Sequence, residues 1–124
     1  MAKIWLVEDD QNLANLTKVA LAKKGYQVMV FYESLQVLAE AKKQKPDLIL
    51  MDVMLPGQSG PETVTALRND PNFRNIPVIF LTALLSTEES ALGMTIDKVN
   101  YKTLGKPYDI KRLLEVVETS LIKK

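Results

Sequence analysis

The chain has 124 residues, of which 47% are hydrophobic and 25% charged, and its formal net charge is +1. This length supports one globular domain, and the near-neutral charge gives no support for nucleic-acid binding by bulk electrostatics. The absence of cysteine and histidine excludes disulfides, thiolate metal sites and histidine-based acid–base chemistry.

Targeting and membrane signals are missing from the sequence pattern. No apolar run approaches the ~18 residues of a membrane span. The first residues run from a short strand pattern directly into acids, without a cleavable signal pattern. We therefore expect one cytoplasmic domain over residues 1–124 with no membrane contact.

Five short apolar runs predict β-strands. They are residues 3–7, 27–31, 47–51, 78–81 and, as a weaker pattern, 99–104. Because the runs are almost uninterrupted by polar residues, they are typical of parallel strands that are buried on both faces.

Helical patterns lie between the strands. Apolar side chains recur on one face of the first, second and last of these segments: Leu13, Leu16, Ala20 and Leu21; Leu35, Leu38 and Ala41; Ile110, Leu113, Leu114, Val117 and Leu121. We predict that these stripes, with Trp5 and the methionines, belong to the core.

Helix ends carry their own signals. Gly25 follows the first helix, Pro46 closes the second and Gly60-Pro61 opens the third. Ser86 with Glu89 forms a possible capping box for a fourth helix, and Asp109 is a candidate cap for the fifth. The order of elements predicts a three-layer, doubly wound α/β sandwich with a five-stranded parallel sheet and five helices.

Polar side chains collect where the predicted strands end. Strand one ends in Glu8-Asp9, strand three in Asp52 and strand four in Thr82, and strand five runs into Lys106. In a sheet of order 2-1-3-4-5, strands one, three, four and five are neighbours, so these groups converge on one cleft.

Three adjacent carboxylates repel each other unless a cation joins them. Oxygen ligands without histidine or cysteine favour a hard ion, and a partly open site suits Mg²⁺, with Mn²⁺ as a substitute. A metal-neutralised carboxylate that faces an ammonium and a hydroxyl is equipped to attack phosphorus.

At this point the chain resembles the receiver domain of two-component response regulators. The matching segments are LVEDD at strand one, LILMDVMLPGQSG around strand three, VIFLTA at strand four and GKPYDIKRLL before the last helix. The resemblance covers almost the whole chain, and it implies a chemotaxis-type, flavodoxin-like fold and a phosphorylation-activated switch.

The resemblance also implies a phosphoacceptor and a metal site. Asp52 would accept the phosphoryl group. Asp9 would bind Mg²⁺ directly, Glu8 would act through water, and the backbone carbonyl of Met54 would complete the coordination by the protein.

Two further residues would contact the phosphoryl group. Thr82 would hydrogen-bond one phosphoryl oxygen and Lys106 would pair with another, and the Lys106-Pro107 bond is often cis in this family. We interpret Asp10 mainly as a helix cap. The chain would catalyse only its own phosphorylation and slow dephosphorylation.

Partners follow from the same resemblance. Since the chain has no histidine, the phosphoryl donor would be a phosphohistidine on a sensor kinase or a histidine phosphotransfer protein. A protein target or an output domain would read the face formed by the fourth helix, fifth strand and fifth helix. The sequence names neither the cognate kinase nor the target.

Two features depart from the family pattern. The aromatic residue expected three positions before the lysine is Thr103, and the nearest aromatic is Tyr101, on the same face of a regular strand. The turn before strand five is also unusual, which leaves undecided whether the fourth helix follows the family pattern. Met54 and Leu84 flank the expected approach of water with apolar groups, and this predicts slow self-dephosphorylation.

Three other functions remain as alternatives. A haloacid-dehalogenase-like phosphatase needs a second acid two residues after its nucleophile, where this chain has Met54. A flavin-binding module needs amide and hydroxyl donors after strand one, where this chain has acids. A phosphorylation-independent docking module of the same fold is the strongest alternative.

Overall fold

The computed structural model describes residues 2–83, 94–96 and 98–122. Its strands are β1 (Lys3–Val7), β2 (Gln27–Phe31), β3 (Leu48–Asp52), β4 (Val78–Thr82), β5 (Met94–Ile96) and β6 (Val99–Gly105). Its helices are α1 (Gln11–Lys23), α2 (Ser34–Ala41), α3 (Gly60–Arg68) and α4 (Ile110–Ile122), with a 3-10 turn at Pro71–Phe73. None of the described helices has both the length and the apolar content that crossing a bilayer requires.

The sheet confirms the predicted fold class. Its order is β2-β1-β3-β4-β6-β5, and every pair except β5–β6 is parallel. Strand β6 is the predicted fifth strand, so the predicted order 2-1-3-4-5 holds for the parallel part. Helix α4 is the predicted fifth helix, and the predicted fourth helix, with Ser86 and Glu89, lies outside the described residues.

The sheet has one more strand than the sequence predicts. Strand β5 pairs antiparallel with β6, with Ile96 opposite Val99 and Met94 opposite Tyr101. Lys98 at the turn has a φ of 68°, in the left-handed region. A three-residue strand is too short to show a hydrophobic period, and this one is defined by its pairing with β6.

Helices cover both faces of the sheet. One layer of the core joins α2 and α3 to the face that carries Trp5, Met51 and Phe80. The other layer joins α1 and α4 to the face that carries Leu6 and Leu50. Because the central strands are buried on both sides, polar groups at their carboxyl ends lie at the edge of a dry core.

Three residues of the predicted apolar stripes are not in the core. The side chains of Leu16, Leu35 and Ile110 are 67%, 66% and 36% exposed. Helix α1 instead buries Ala14, Thr17 and Leu21, at helical positions i, i+3 and i+7. The Thr17 hydroxyl is satisfied there because it donates to the carbonyl of Leu13 at 2.8 Å, so a polar residue takes the place that the pattern assigned to leucine.

The same correction applies to two methionines. Met29 and Met54 are 38% and 64% exposed, whereas Met51 is fully buried. Met29 lies on the edge strand β2 and Met54 lies in the loop after β3, where no layer of the fold covers them completely.

The caps explain where the helices begin. Asp10 caps α1 by accepting the Leu13 N–H at 3.1 Å, as predicted. Asp109 accepts the Lys111 N–H at 3.1 Å before α4. Ser59 and Glu62 form a reciprocal capping box at the start of α3. This capping box restrains the end of the loop that connects β3 to α3.

Candidate functional site

The carboxyl ends of four parallel strands bring the predicted site residues together. Asp52 and Thr82 are the last residues of β3 and β4, and Glu8 follows β1 directly. Lys106 follows β6, and its backbone N–H donates to the carbonyl of Thr82 at 2.8 Å. Strand pairing therefore sets the relative positions of these residues.

One ammonium group joins two buried carboxylates. Lys106 Nζ lies 2.5 Å from Glu8 Oε1 and donates a hydrogen bond to Asp52 Oδ2 at 2.9 Å. The side chain of Glu8 is fully buried, that of Asp52 is 6% exposed and that of Lys106 is 16% exposed. Exclusion of water makes these charge interactions stronger than they would be on an open surface.

Burial and neighbouring charges both change the pKa values of Glu8 and Lys106. Burial raises the pKa of Glu8 to about 7, and neighbouring Asp52 adds to the rise, while Lys106 and the Asp10 amide oppose it. Burial lowers the pKa of Lys106, but the interactions with Glu8 and Asp52 outweigh burial and the net pKa is raised. The lysine therefore stays cationic between the two acids.

The acidic residues fit a hard divalent cation. Glu8, Asp9 and Asp52 each offer a carboxylate oxygen, and these oxygens lie within 4.8 Å of one another. Glu8 Oε1 accepts no hydrogen bond of ordinary geometry from the described residues, although Lys106 is its ion-pair partner. Asp9 is exposed, so an ion would enter the site from solvent beside the Asp9 side chain. An all-oxygen donor set with an open side suits Mg²⁺.

Hydrogen bonds hold the loop after β3 at its ends and at its middle. At its far end, the Gly60 N–H donates to the carbonyl of Val53 at 2.8 Å, and a Cβ at Gly60 would overlap the carbonyl oxygen of Asp52. At its middle, the Oγ of fully buried Ser34 accepts the Gln58 N–H at 3.1 Å. Sequence reasoning missed Ser34, because only its position at the start of α2 could have drawn attention to it.

Met54 lies at the entrance to the site. Its N–H donates to Asp52 Oδ1 at 3.3 Å, and its side chain is 64% exposed. Metal coordination by its backbone carbonyl stays a prediction. Leu84, its predicted counterpart beside the approaching water, lies outside the described residues.

The residues after β6 agree with the resemblance. The Lys106-Pro107 peptide bond is cis. Tyr108 joins this segment to α1, since its hydroxyl lies 2.6 Å from the Thr17 hydroxyl, and burial raises the pKa of Tyr108. Lys106 is therefore held by its own backbone contact with Thr82 and by the contact of Tyr108 with Thr17.

Tyr101 occupies the core instead of the surface. It is 8% exposed, and its ring meets Phe80 edge to face with centroids 5.4 Å apart. Its hydroxyl accepts the Arg68 Nε–H at 3.2 Å, and the guanidinium carbon lies 5.5 Å from the ring centroid. Thr103 is half-buried on β6, opposite Phe80. Which of the two serves a switch stays open.

Comparison with known families places this geometry in context. The family model of the response regulator receiver domain matches residues 4–118. The transcriptional regulatory protein CreB of Escherichia coli is 36% identical over 118 residues, which are 95% of this chain and 50% of CreB. The DNA-binding response regulator MtrA of Mycobacterium tuberculosis is 32% identical over 119 residues, which are 96% of this chain and 50% of MtrA. The chain thus spans about half the length of these curated relatives.

Solved structures show the same architecture. A putative response regulator from Chloroflexus aurantiacus superposes with a TM-score of 0.86 at 25% identity, covering 98% of each chain. The receiver domain of the sensor histidine kinase PA1611 from Pseudomonas aeruginosa, a structure with a magnesium ion coordinated in the active site cleft, has a TM-score of 0.83 at 28% identity and covers 98% of each chain.

Proposed function

Because the chain belongs to the response regulator receiver domain family, we propose that it is a signalling switch of a two-component phosphorelay, with Asp52 as its phosphoacceptor. The observation that carries the assignment of Asp52 is its position: among the described residues it is the one carboxylate that ends a central strand, and Lys106 Nζ donates to its Oδ2 at 2.9 Å. The proposal treats residues 1–124 as one receiver unit.

Asp52 acts as the nucleophile. A carboxylate oxygen forms a bond to the phosphorus of a donor phosphohistidine, the phosphorus–nitrogen bond breaks, and the freed imidazole keeps the electron pair and takes a proton from solvent. The product is an acyl phosphate on Asp52. The donor belongs to a sensor kinase or a phosphotransfer protein, since this chain contains no histidine.

Glu8 and Asp9 would hold a magnesium ion together with Asp52, Asp9 directly and Glu8 through water, and Mn²⁺ would be a substitute. Their oxygens lie within 4.8 Å of one another. When bound, the ion supplies positive charge that offsets the phosphoryl oxygens during transfer. Met54 would contribute its backbone carbonyl.

Lys106 and Thr82 stabilise the product. The ammonium, already 2.9 Å from Asp52 Oδ2, can move from the carboxylates to a phosphoryl oxygen. The Thr82 hydroxyl, buried at the end of the adjacent strand, donates to another. An inward movement of Thr82 would shift the population between two conformations of the face formed by the predicted fourth helix, which lies outside the described residues, β6 and α4.

That face is where the target protein or output domain would dock. Residues 1–124 make no direct contact with nucleic acid in this proposal, and their net charge of +1 agrees with that. We propose that the switch works in the cytoplasm.

Intact-mass spectrometry after incubation with acetyl phosphate tests the proposal. Wild type is expected to gain one phosphoryl adduct only when Mg²⁺ is present, and Asp52→Ala is expected to gain none. Asp70→Ala, which removes a carboxylate at the opposite end of the fold, should behave as wild type. No adduct in a wild-type sample that binds Mg²⁺ by calorimetry would favour a phosphorylation-independent docking module.

A further inference from the structure

A cavity lies at the opposite end of the sheet from Asp52. Its volume is about 280 Å³, and it borders the first residues of β4 and β6, Val78 and Val99. Thr82 is four residues further along β4, so roughly 13 Å of strand separates the cavity from the phosphoacceptor end. We call it the basal cavity.

The basal cavity combines an apolar floor with a cationic rim. Ile76, Val78 and Tyr101 are buried beneath it, and half-exposed Val99 forms one wall. The charged side chains that line it are all cations: Arg68, Arg74 and Lys102.

Arg68 is fixed in place before any ligand arrives. Its Nε–H donates to the Tyr101 hydroxyl at 3.2 Å, its Nη1 donates to the carbonyl of Phe73, and its guanidinium lies over the Tyr101 ring. A guanidinium has five N–H donors. Two of the five serve these contacts, which leaves three in a fixed plane, and a fixed planar fork suits a carboxylate.

No carboxylate neutralises this rim within the described parts of the chain. The two ion pairs closer than 4.0 Å that are found there both belong to Lys106. A half-buried guanidinium that lacks an acidic partner gains free energy from any anion that can reach it. The apolar floor adds a requirement, because an inorganic anion would leave that surface uncovered.

We propose that the basal cavity binds a small organic acid, with its carboxylate on Arg68 and an aromatic or branched apolar body on Val99 and Tyr101. The cavity is slightly smaller than the usual range for ligand sites, which is about 300 to 1,000 Å³. The ligand is therefore compact, with a single ring or a short branched chain. This inference goes beyond the phosphorelay and does not depend on phosphorylation of Asp52.

A titration with a matched pair of probes tests the proposal. Phenylacetate is expected to shift the backbone amide signals of Arg74, Val99 and Tyr101 saturably in the ¹⁵N spectrum of the full chain, with a Kd of about 1 to 10 mM. Phenylacetamide, which has nearly the same shape but no charge, should bind at least several-fold more weakly. No saturable shift, or equal binding of the two probes, would overturn the proposal.

Variants separate a defined site from bulk charge. Arg74→Gln with Lys102→Gln removes two exposed cations of the rim, and the Kd for phenylacetate should rise several-fold. Arg68→Lys keeps the charge but loses the planar fork, and the Kd of this variant should also be higher than that of wild type. Lys111→Gln removes the same charge on α4, away from the basal cavity, and should leave the Kd unchanged. An equal loss in Lys111→Gln would mean that the acid follows net charge, and the proposal would fail.

Discussion

Lys106 shows how a single side chain can organise a site before any ligand is bound. Its ammonium contacts both Glu8 and Asp52, which are carried by different strands and would otherwise repel each other. The lysine thus stabilises the arrangement that a divalent cation would also stabilise. Two residues near Asp52 are expected to affect the site: Ser34 positions the loop after β3, and Met54 affects the access of water.

Ser34 is expected to position the loop after β3. Replacing it by alanine leaves the Gln58 N–H without its acceptor, which should cost about 1 kcal/mol in the free energy of unfolding. Because the same loop carries Met54, we also expect several-fold weaker Mg²⁺ binding by calorimetry. Thr65→Ala is the control, since that exposed hydroxyl donates only within α3, to the carbonyl of Pro61. Identical Mg²⁺ affinities in the two variants would show that Ser34 has no positioning role.

Met54 is expected to slow the loss of the phosphoryl group. Its backbone N–H donates to Asp52 Oδ1 and its apolar side chain is exposed, and an asparagine there could orient a water molecule. Met54→Asn should shorten the half-life of the acyl phosphate by up to about tenfold, a barrier change of about 1.4 kcal/mol. The decay of the phosphorylated mass after removal of acetyl phosphate measures this. Met29→Asn serves as a control for a similar change at an exposed methionine on β2, and equal half-lives in all three proteins would contradict the prediction.

At the scale of elements, the junction of β3 and α3 shapes the site, and the β5–β6 hairpin shapes the opposite end of the sheet. Helix α3 begins against the last residue of β3, because Gly60 packs on the Asp52 backbone. The hairpin extends the sheet beyond β6, next to the strand that leads to Lys106. Each junction depends on one residue with a special conformation or contact.

Gly60→Ala is expected to disturb Asp52 directly. The added Cβ overlaps the Asp52 carbonyl oxygen, so the strand end and the helix must separate, at a cost of about 2 kcal/mol or more. The rate of phosphorylation by acetyl phosphate should fall as well. Ser59→Ala, one residue earlier, loses the helix cap and should cost only about 1 kcal/mol. Urea unfolding compares the two, and an equal cost would refute the close-approach argument.

Lys98→Gly is expected to relieve strain at the hairpin turn. A non-glycine residue at a φ of 68° carries about 1 to 2 kcal/mol of strain, which glycine avoids while losing about 0.5 to 1 kcal/mol in backbone entropy. Asn100→Gly, in the regular part of β6, suffers the entropy loss alone. The two variants should therefore differ by about 1 to 2 kcal/mol in their free energies of unfolding. If Asn100→Gly proved as stable as Lys98→Gly, the turn would not be strained.

At the scale of the whole molecule, the site joins distant parts of the chain. Glu8, Asp52 and Lys106 follow or end three strands and are separated by 44 and 54 positions in sequence. The ion pairs between them act as a non-local tie across the carboxyl edge of the sheet. A cation bound there would perform the same task.

Lys106→Met tests this equivalence. Removing the ammonium leaves two buried carboxylates unpaired, and we expect the free energy of unfolding to fall by about 2 kcal/mol without divalent cations. Mg²⁺ should raise the thermal midpoint of the variant by more than it raises that of wild type, because the ion replaces the missing charge. Thermal unfolding with Mg²⁺ or with a chelator measures both, and Lys102→Met, at an exposed position, is the control. Equal Mg²⁺ increments in all three proteins would contradict the prediction.

The sequence predicted the parallel sheet, its order and the meeting of the acids at one edge. It could do so because apolar runs, caps such as Asp10 and residues at strand ends are local features with a direct structural meaning. It failed at Leu16, Leu35 and Ile110, where apolar periodicity did not reveal which side of a helix the sheet covers. It also missed β5, whose three residues carry no period of their own.

The sequence by itself therefore determined the fold class and the residues that could perform chemistry, since both depend on patterns within a few neighbouring positions. Only the tertiary structure decided the contacts between remote positions. It placed one ammonium between Glu8 and Asp52, Ser34 under the loop of Gln58, and Arg68 over Tyr101. Such contacts result from packing between elements, and no short stretch of sequence contains both partners.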